Sequence, residues 1–201
     1  QSQYDEGVKW GYFDGIGRIS GANPGSNSAR ALQVDRLTFR ISAKISESIE
    51  LSVGHGQHHW GPGTRSLYID RSMAPASYVR LYGDVGVLHY THLLVRTIHP
   101  REIHDTIDVG WIAAHMVDVN LGAGFTGSIF GGVKWRDQQD GITHRIEPAY
   151  LIPLVAFRPT EFSLGSPDNV LMGAQLVWRG KGRSSGHKKT FYTQILFDEF
   201  K

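Results

Sequence analysis

Between residues 37 and 53 apolar and polar side chains alternate almost without a break. Leu37, Phe39, Ile41, Ala43, Ile45, Ile49, Leu51 and Val53 hold one parity, and Thr38, Arg40, Ser42, Lys44, Ser46, Ser48, Glu50 and Ser52 hold the other. Glu47 breaks the apolar series inside Ser46-Glu47-Ser48, where a tight turn is expected. Strict period-two alternation places one greasy and one wet face on a pair of strands, whereas a helix would mix both classes on every side. Residues 79–96 repeat the pattern, with Val79, Leu81, Val85, Val87, Leu93 and Val95 expected on one face and Arg80, Tyr82, Asp84, His92 and Arg96 on the other. In 105–130, Ile107, Val109, Trp111, Ala113, Val117, Val119, Leu121, Phe125 and Ile129 oppose Asp108, Asp118, Asn120, Thr126 and Ser128, with a turn expected at 120–124. Val170, Met172, Ala174, Leu176 and Trp178 form a fourth run before the polar loop 180–189, and Phe191, Thr193, Ile195 and Phe197 form the last.

These runs predict about eight long antiparallel strands joined in hairpins by polar loops. The fold class is therefore all-β, in a single domain over 1–201. Two architectures fit: a soluble β-sandwich or lipocalin-like barrel, and an up-and-down transmembrane β-barrel. Two features favour the second. Runs of about ten residues exceed the ~5–6 usual in soluble sheets. Trp10, Tyr12, Tyr78, Trp111, Trp135, Trp178 and Tyr192 fall near run ends, where an aromatic girdle would meet the membrane interfaces.

Composition narrows the function classes. The 201 residues include 24 glycines, and aromatic residues make up 11%, which suits strands and turns better than helices. A net charge of +2 without a run of five like charges gives no footprint for nucleic acid. No cysteine is present, which removes disulfides, thiolate metal sites and cysteine nucleophiles. No stretch reaches the ~18 apolar residues of a membrane helix, but a spanning strand needs only about ten residues, half of them apolar. The sequence starts at Gln1 and stops at Lys201 straight after a strand-like run, so a piece of a larger barrel is expected.

One stretch carries a more specific signal. Val53 to Leu67 reads as a strand ending in glycine, a polar link, Trp60-Gly61-Pro62-Gly63 and then Ser66-Leu67; Ser72-Met73-Ala74-Pro75 leads to the next strand, Tyr78-Val79-Arg80-Leu81. Ala113-Ala114-His115, the loop Gly165 to Gly173, and Tyr192 to Phe200 with its Gln-x-x-x-Asp-Glu-Phe follow in order. Over residues 50–201 this order resembles the Wzi-like capsule-assembly family of outer-membrane proteins, in its Bacteroidetes form, which includes gliding-motility relatives. The resemblance implies an outer-membrane barrel of about 18 strands with a periplasmic or plugging element. It further implies a non-catalytic role in assembly or surface attachment of capsular or extracellular polysaccharide. The alternative within the same resemblance is an adhesion or motility component binding protein partners. The expected partners are polysaccharide and outer-membrane lipid, with no cofactor.

Among individual residues, Trp60 with Gln57 and Arg65 is the candidate carbohydrate contact: an indole face stacks on a pyranose while the polar pair bonds hydroxyls. A structural turn is the competing reading, with glycines free to take positive φ and Pro62 fixing one angle. His55, His58 and His59 stand at spacings that can bind zinc, yet no fourth ligand lies nearby in sequence, so lumen lining is expected instead. Asp198 and Glu199 are adjacent on a strand and point to opposite faces, so they cannot flank one glycosidic bond. No nucleophile elbow or phosphate-cradling loop is present, and an enzyme is not expected.

Overall fold

The computed structural model describes residues 37–73, 75–101, 106–136, 150, 169–181 and 188–198, together with a two-residue ladder between β1 (Tyr12–Phe13) and β2 (Gly17–Arg18). Eight further strands follow: β3 (Phe39–Ser46), β4 (Ile49–Gly56), β5 (Ala76–Val85), β6 (Leu88–Arg101), β7 (Thr106–Gly122), β8 (Phe125–Arg136), β9 (Asn169–Lys181) and β10 (Lys188–Asp198). They form one antiparallel sheet in the order β10-β9-β8-β7-β6-β5-β4-β3, a pure up-and-down meander. The sheet is not closed: β3 and β10 are its edges among the described residues. Trp10, and the Gly165 to Asp168 part of the loop before β9, lie outside the described residues, as does Glu199.

The two ends of the sheet differ. At one end, β3–β4, β5–β6 and β7–β8 are joined by two-residue turns, and β9–β10 by residues 182–187. At the other end lie the connections 57–75, 102–105 and 137–168. The turn expected at Ser46-Glu47-Ser48 is present, and the one at 120–124 is built on positive φ at Gly122 (81°), Ala123 (50°) and Gly124 (85°).

Hairpin geometry decides which residues share a face. In β3–β4 and β7–β8 a register shift near the turn adds one residue, so Lys44 faces Glu50 and Asn120 faces Thr126, and parity is kept through the hairpin. The β5–β6 hairpin has no such bulge: Val85 pairs directly with Leu88 around Gly86 (φ 64°) and Val87. Parity therefore inverts there. Leu93 and Val95 do not join Val79 and Leu81, as the sequence pattern suggested; they lie with Arg80 and Tyr78 on the opposite face. His92 moves the other way, to sit opposite Leu81 and His115.

One face, called inner here, carries Arg40, Ser42, Glu50, Ser52, Tyr82, Asp118, Ser128, Gln175 and Gln194. Residues 57–75 lie across it. Where they do, the face turns apolar: Trp60 and Ile69 bury against Leu93, Val95 and Ala114. The outer face is largely an exposed apolar band, interrupted where His92 of β6, buried, stands beside His115 of β7. Ile41 is 66% exposed, Ile129 72% and Ile195 52%, and Leu51, Val79, Leu88, Val117 and Leu176 join them across the intervening strands. Among the described residues these stripes are not packed against one another as the interior of a closed fold. One outer patch is covered: Tyr150 packs on Ala113, Val133, Trp135 and Val170.

Aromatic side chains do gather at the strand ends of the outer face. Phe125, Trp178 and Phe191 form a chain at the turn end, with ring centroids 6.4 and 5.7 Å apart. Trp111 and Trp135 stack at 6.5 Å at the other. Tyr78 and Tyr192, expected in the same girdle, face inward instead. Tyr78 stands beside His58 and Tyr192 beside Gly63.

Candidate functional site: the loop across the inner face

The segment 57–75 is held together by its own polar groups. The Asp70 carboxylate accepts the amide hydrogens of Ser72 (2.9 Å) and Ser66 (3.0 Å). These bonds, Ser72's first among them, hold its pKa down at about 2. The Trp60 amide donates to Ile69 (2.9 Å), and the Ser66 hydroxyl donates to the Trp60 carbonyl. Gln57 places its side-chain nitrogen between the carbonyls of Arg71 and Met73, 2.7 Å from each. A loop of this length is uncommon without such internal ties.

Tyr68 fastens the loop to the wall. Its ring stacks on Phe130 of β8 at 4.6 Å and leans on Trp60 at 5.5 Å. Its hydroxyl donates to the Gly131 carbonyl, and burial pushes its pKa up. The neighbouring Gly132 is required here, since a Cβ at that position would strike the Tyr68 hydroxyl. Farther across, the Leu67 amide donates to Gln194 of β10 (3.2 Å). Gln194 donates to Gln175 of β9 (2.7 Å), Gln175 to Ser128 of β8 (3.4 Å), and Ser128 to Asp118 of β7. The loop thus leaves β4 and is held by a side-chain chain that runs over four strands to the far edge of the sheet.

The candidate carbohydrate residues are not gathered into one open surface. Trp60 is 8% exposed, with its ring in the apolar cluster rather than facing solvent. Both hydrogen bonds of the Gln57 nitrogen go to loop carbonyls, while Arg65 is exposed near the loop tip. The structural role of Trp60-Gly61-Pro62-Gly63 is well defined. Gly61 takes φ 136°, and Gly63 lies so close to the Tyr192 hydroxyl that a Cβ would collide with it.

The three histidines go to three neighbours. His55 Nδ1 is 3.3 Å from the Ser77 hydroxyl; His58 meets Tyr78 edge-on at 4.2 Å; His59 Nε2 donates to Gly63 (2.8 Å), with Nδ1 3.5 Å from Asp70. Burial, assisted by the positive charge of Arg80, lowers the His58 pKa to about 4 and keeps it neutral near pH 7. Among the described residues no three His, Cys, Asp or Glu side chains converge for a metal ion. A cavity of about 110 Å³ lies between loop and wall, lined by His58, Tyr68, Ile69, Met73, Val95 and Ile112 among others.

Sequence reasoning passed over Tyr68, Asp70 and Gln175, and used Gln194 only as the start of a strand motif. The signals existed: Asp70 sits between Ser66 and Ser72 at turn spacing, and each glutamine falls on the wet parity of its run. Comparison with family models, with curated proteins and with solved structures finds no match to this chain.

Proposed function

We propose that this sheet is part of the wall of an outer-membrane β-barrel, with the outer face against lipid and the inner face toward an aqueous lumen partly filled by residues 57–75. The observation that carries the reading is the outer band and its borders. Phe125 and Trp135 mark the two aromatic ends of β8, ten residues apart. At ~3.4 Å per residue and a tilt of about 35–45°, that span projects to roughly 24–28 Å, the height of the apolar belt of such barrels. Eight strands at ~4.8 Å spacing make the band on the order of 1,000 Å² before the patch under Tyr150 is subtracted, above the ~300–600 Å² of the largest patches on water-soluble monomers. Three two-residue turns at one end, against the long connections 57–75 and 137–168 at the other, correspond to the periplasmic and extracellular ends of such barrels. Residues 57–75 then enter the lumen from the cell exterior.

Within that barrel the role is non-catalytic: assembly or surface attachment of capsular or extracellular polysaccharide. The order of the motifs from Val53 to Phe200 supports this, together with an inner face rich in Arg, Ser, Gln and Tyr, which offers hydrogen-bonding partners for sugar hydroxyls. The test has two parts. The full-length protein should fractionate with the outer membrane and need detergent for solubility; recovery as a soluble periplasmic protein would end the barrel reading. Deletion of its gene should release cell-bound polysaccharide into the medium, and unchanged retention would end the polysaccharide reading.

A further inference from the structure

On the inner face of β3, β4 and β5, three cations stand around one carboxylate. Arg40 and Arg80 both direct Nη2 to the same oxygen of Glu50, Arg80 at 3.3 Å. Lys44 lies directly opposite Glu50 in the register and has no carboxylate within 4 Å among the described residues. The remaining acid of these three strands' inner face, Asp84, sits at the turn end and is engaged with His89 at 3.1 Å. Arg40 further donates Nε to Ser42 (2.7 Å).

Around this cluster, buried polar atoms lack partners. Ser52, 1% exposed, pairs in register with Ser42 and Arg80, and its hydroxyl has no hydrogen bond. Arg80 Nε and His58 Nε2 are likewise buried and unpaired. A buried polar atom without a partner is destabilising, and one kept in a fold calls for an explanation such as a missing ligand or ion. Two guanidinium groups sharing one acceptor oxygen leave most of their fork-like donors unused, and such forks match a planar carboxylate in bidentate fashion.

We propose that this cluster is a lumenal subsite for the carboxylate of an acidic sugar, a uronate or similar residue of the polysaccharide. The carboxylate takes the place beside Arg80 and Arg40 that Glu50 alone now fills, with Lys44 completing the charge and the exposed Ser42 hydroxyl meeting a ring oxygen. The inference rests on the polysaccharide reading above and adds to it a charge class and an address.

The experiment uses the full-length protein in detergent and three probes: an oligogalacturonate, the same oligosaccharide with its carboxyls reduced to alcohols, and inorganic sulfate. The acidic oligosaccharide should bind at least about tenfold more tightly than its reduced form, and Arg80→Gln should erase that preference. Glu50→Gln should strengthen acidic binding, because it releases both guanidinium groups, and no misfolded variant would gain affinity in this way. Equal binding of the acidic and reduced forms would overturn the subsite while leaving polysaccharide binding intact. Absence of binding to either would remove both. Displacement of the acidic oligosaccharide by sulfate at equal concentration would overturn the sugar-carboxylate assignment in favour of a simple anion site.

Discussion

Ile129→Arg separates a lipid-facing wall from a water-facing one. Ile129 is 72% exposed on the outer face of β8, four residues beyond Phe125. Four residues at ~3.4 Å and a tilt of about 40° place it roughly 10 Å below the aromatic end, near the middle of a ~25 Å apolar belt. If that face meets water, little is buried and the exchange changes stability by no more than about 0.5 kcal/mol. If it meets acyl chains, an arginine near the midplane costs about 2–4 kcal/mol. Thr126→Arg on the inner face of the same strand is the matched control and should cost under about 1 kcal/mol in either case, since that side is aqueous. Reversible urea titrations of the full-length protein folded into lipid vesicles would read both. The lower bound of 2 kcal/mol is a change of about thirtyfold in the folding equilibrium, well clear of experimental error. Equal costs for the two variants, or a cost within 0.5 kcal/mol at Ile129, would refute the lipid-facing assignment.

Other outcomes follow from the loop. Tyr68→Phe keeps both ring contacts and removes one hydrogen bond to Gly131, so the loop should loosen by about 1 kcal/mol, read as faster amide exchange at Trp60. Gly132→Ala sets a methyl group against the Tyr68 hydroxyl and should cost more, about 1–3 kcal/mol, with the aromatic stack displaced; equal effects of the two would contradict the packing described. Acid should release the loop in two stages. His58 is held neutral, with a folded pKa of about 4 against an ordinary 6.5, so stability is lost as pH falls from 6.5 to 4; Asp70, depressed from 3.8 to about 2, then loses its contribution below pH 4. Because the chain lacks cysteine, a nitroxide on Arg65→Cys would report this as rising mobility, and mobility unchanged down to pH 2 would exclude it.

The sheet was legible because alternation is a direct record of a strand with unlike faces, and five runs of it leave little room for another fold. What the alternation could not carry is parity through a turn. The hairpins at 47–48 and 123–124 each contain a bulge that keeps odd residues on one face, whereas Gly86-Val87 joins Val85 to Leu88 without one. Whether a bulge forms depends on turn geometry and cross-strand packing, neither of which a hydrophobicity pattern records. The misplacement of Leu93 and Val95 follows from that alone. Their apolar character on the inner face is explained only by Trp60 and Ile69 lying over them, contacts between segments more than twenty residues apart. Trp60 itself illustrates the limit of motif reading. Its flanking glycines announced a turn, and the turn carries the indole into the core.

That placement bears on where a glycan can be held. A stacking platform needs an open ring face, and exposing Trp60 would require undoing its amide bond to Ile69, the Tyr68 stack and the Gln194 tie together. At about 1 kcal/mol for each hydrogen bond and 0.5–1.5 kcal/mol for the stack, before the apolar burial is counted, a sugar would spend much of its own contact energy on opening the loop. The inner face beside the loop requires no such opening. Arg40 and Arg80 stand on rigid strands, already oriented by Glu50, and reach a ligand by changing acceptors rather than by moving backbone. On the proposed barrel reading, residues 57–75 would shape the lumen and narrow its opening, while the charged strands β3–β5 would supply recognition. Loosening the loop through Tyr68 and neutralising Arg80 should accordingly affect different quantities: the first the rate at which a glycan enters, the second how tightly it is held once inside.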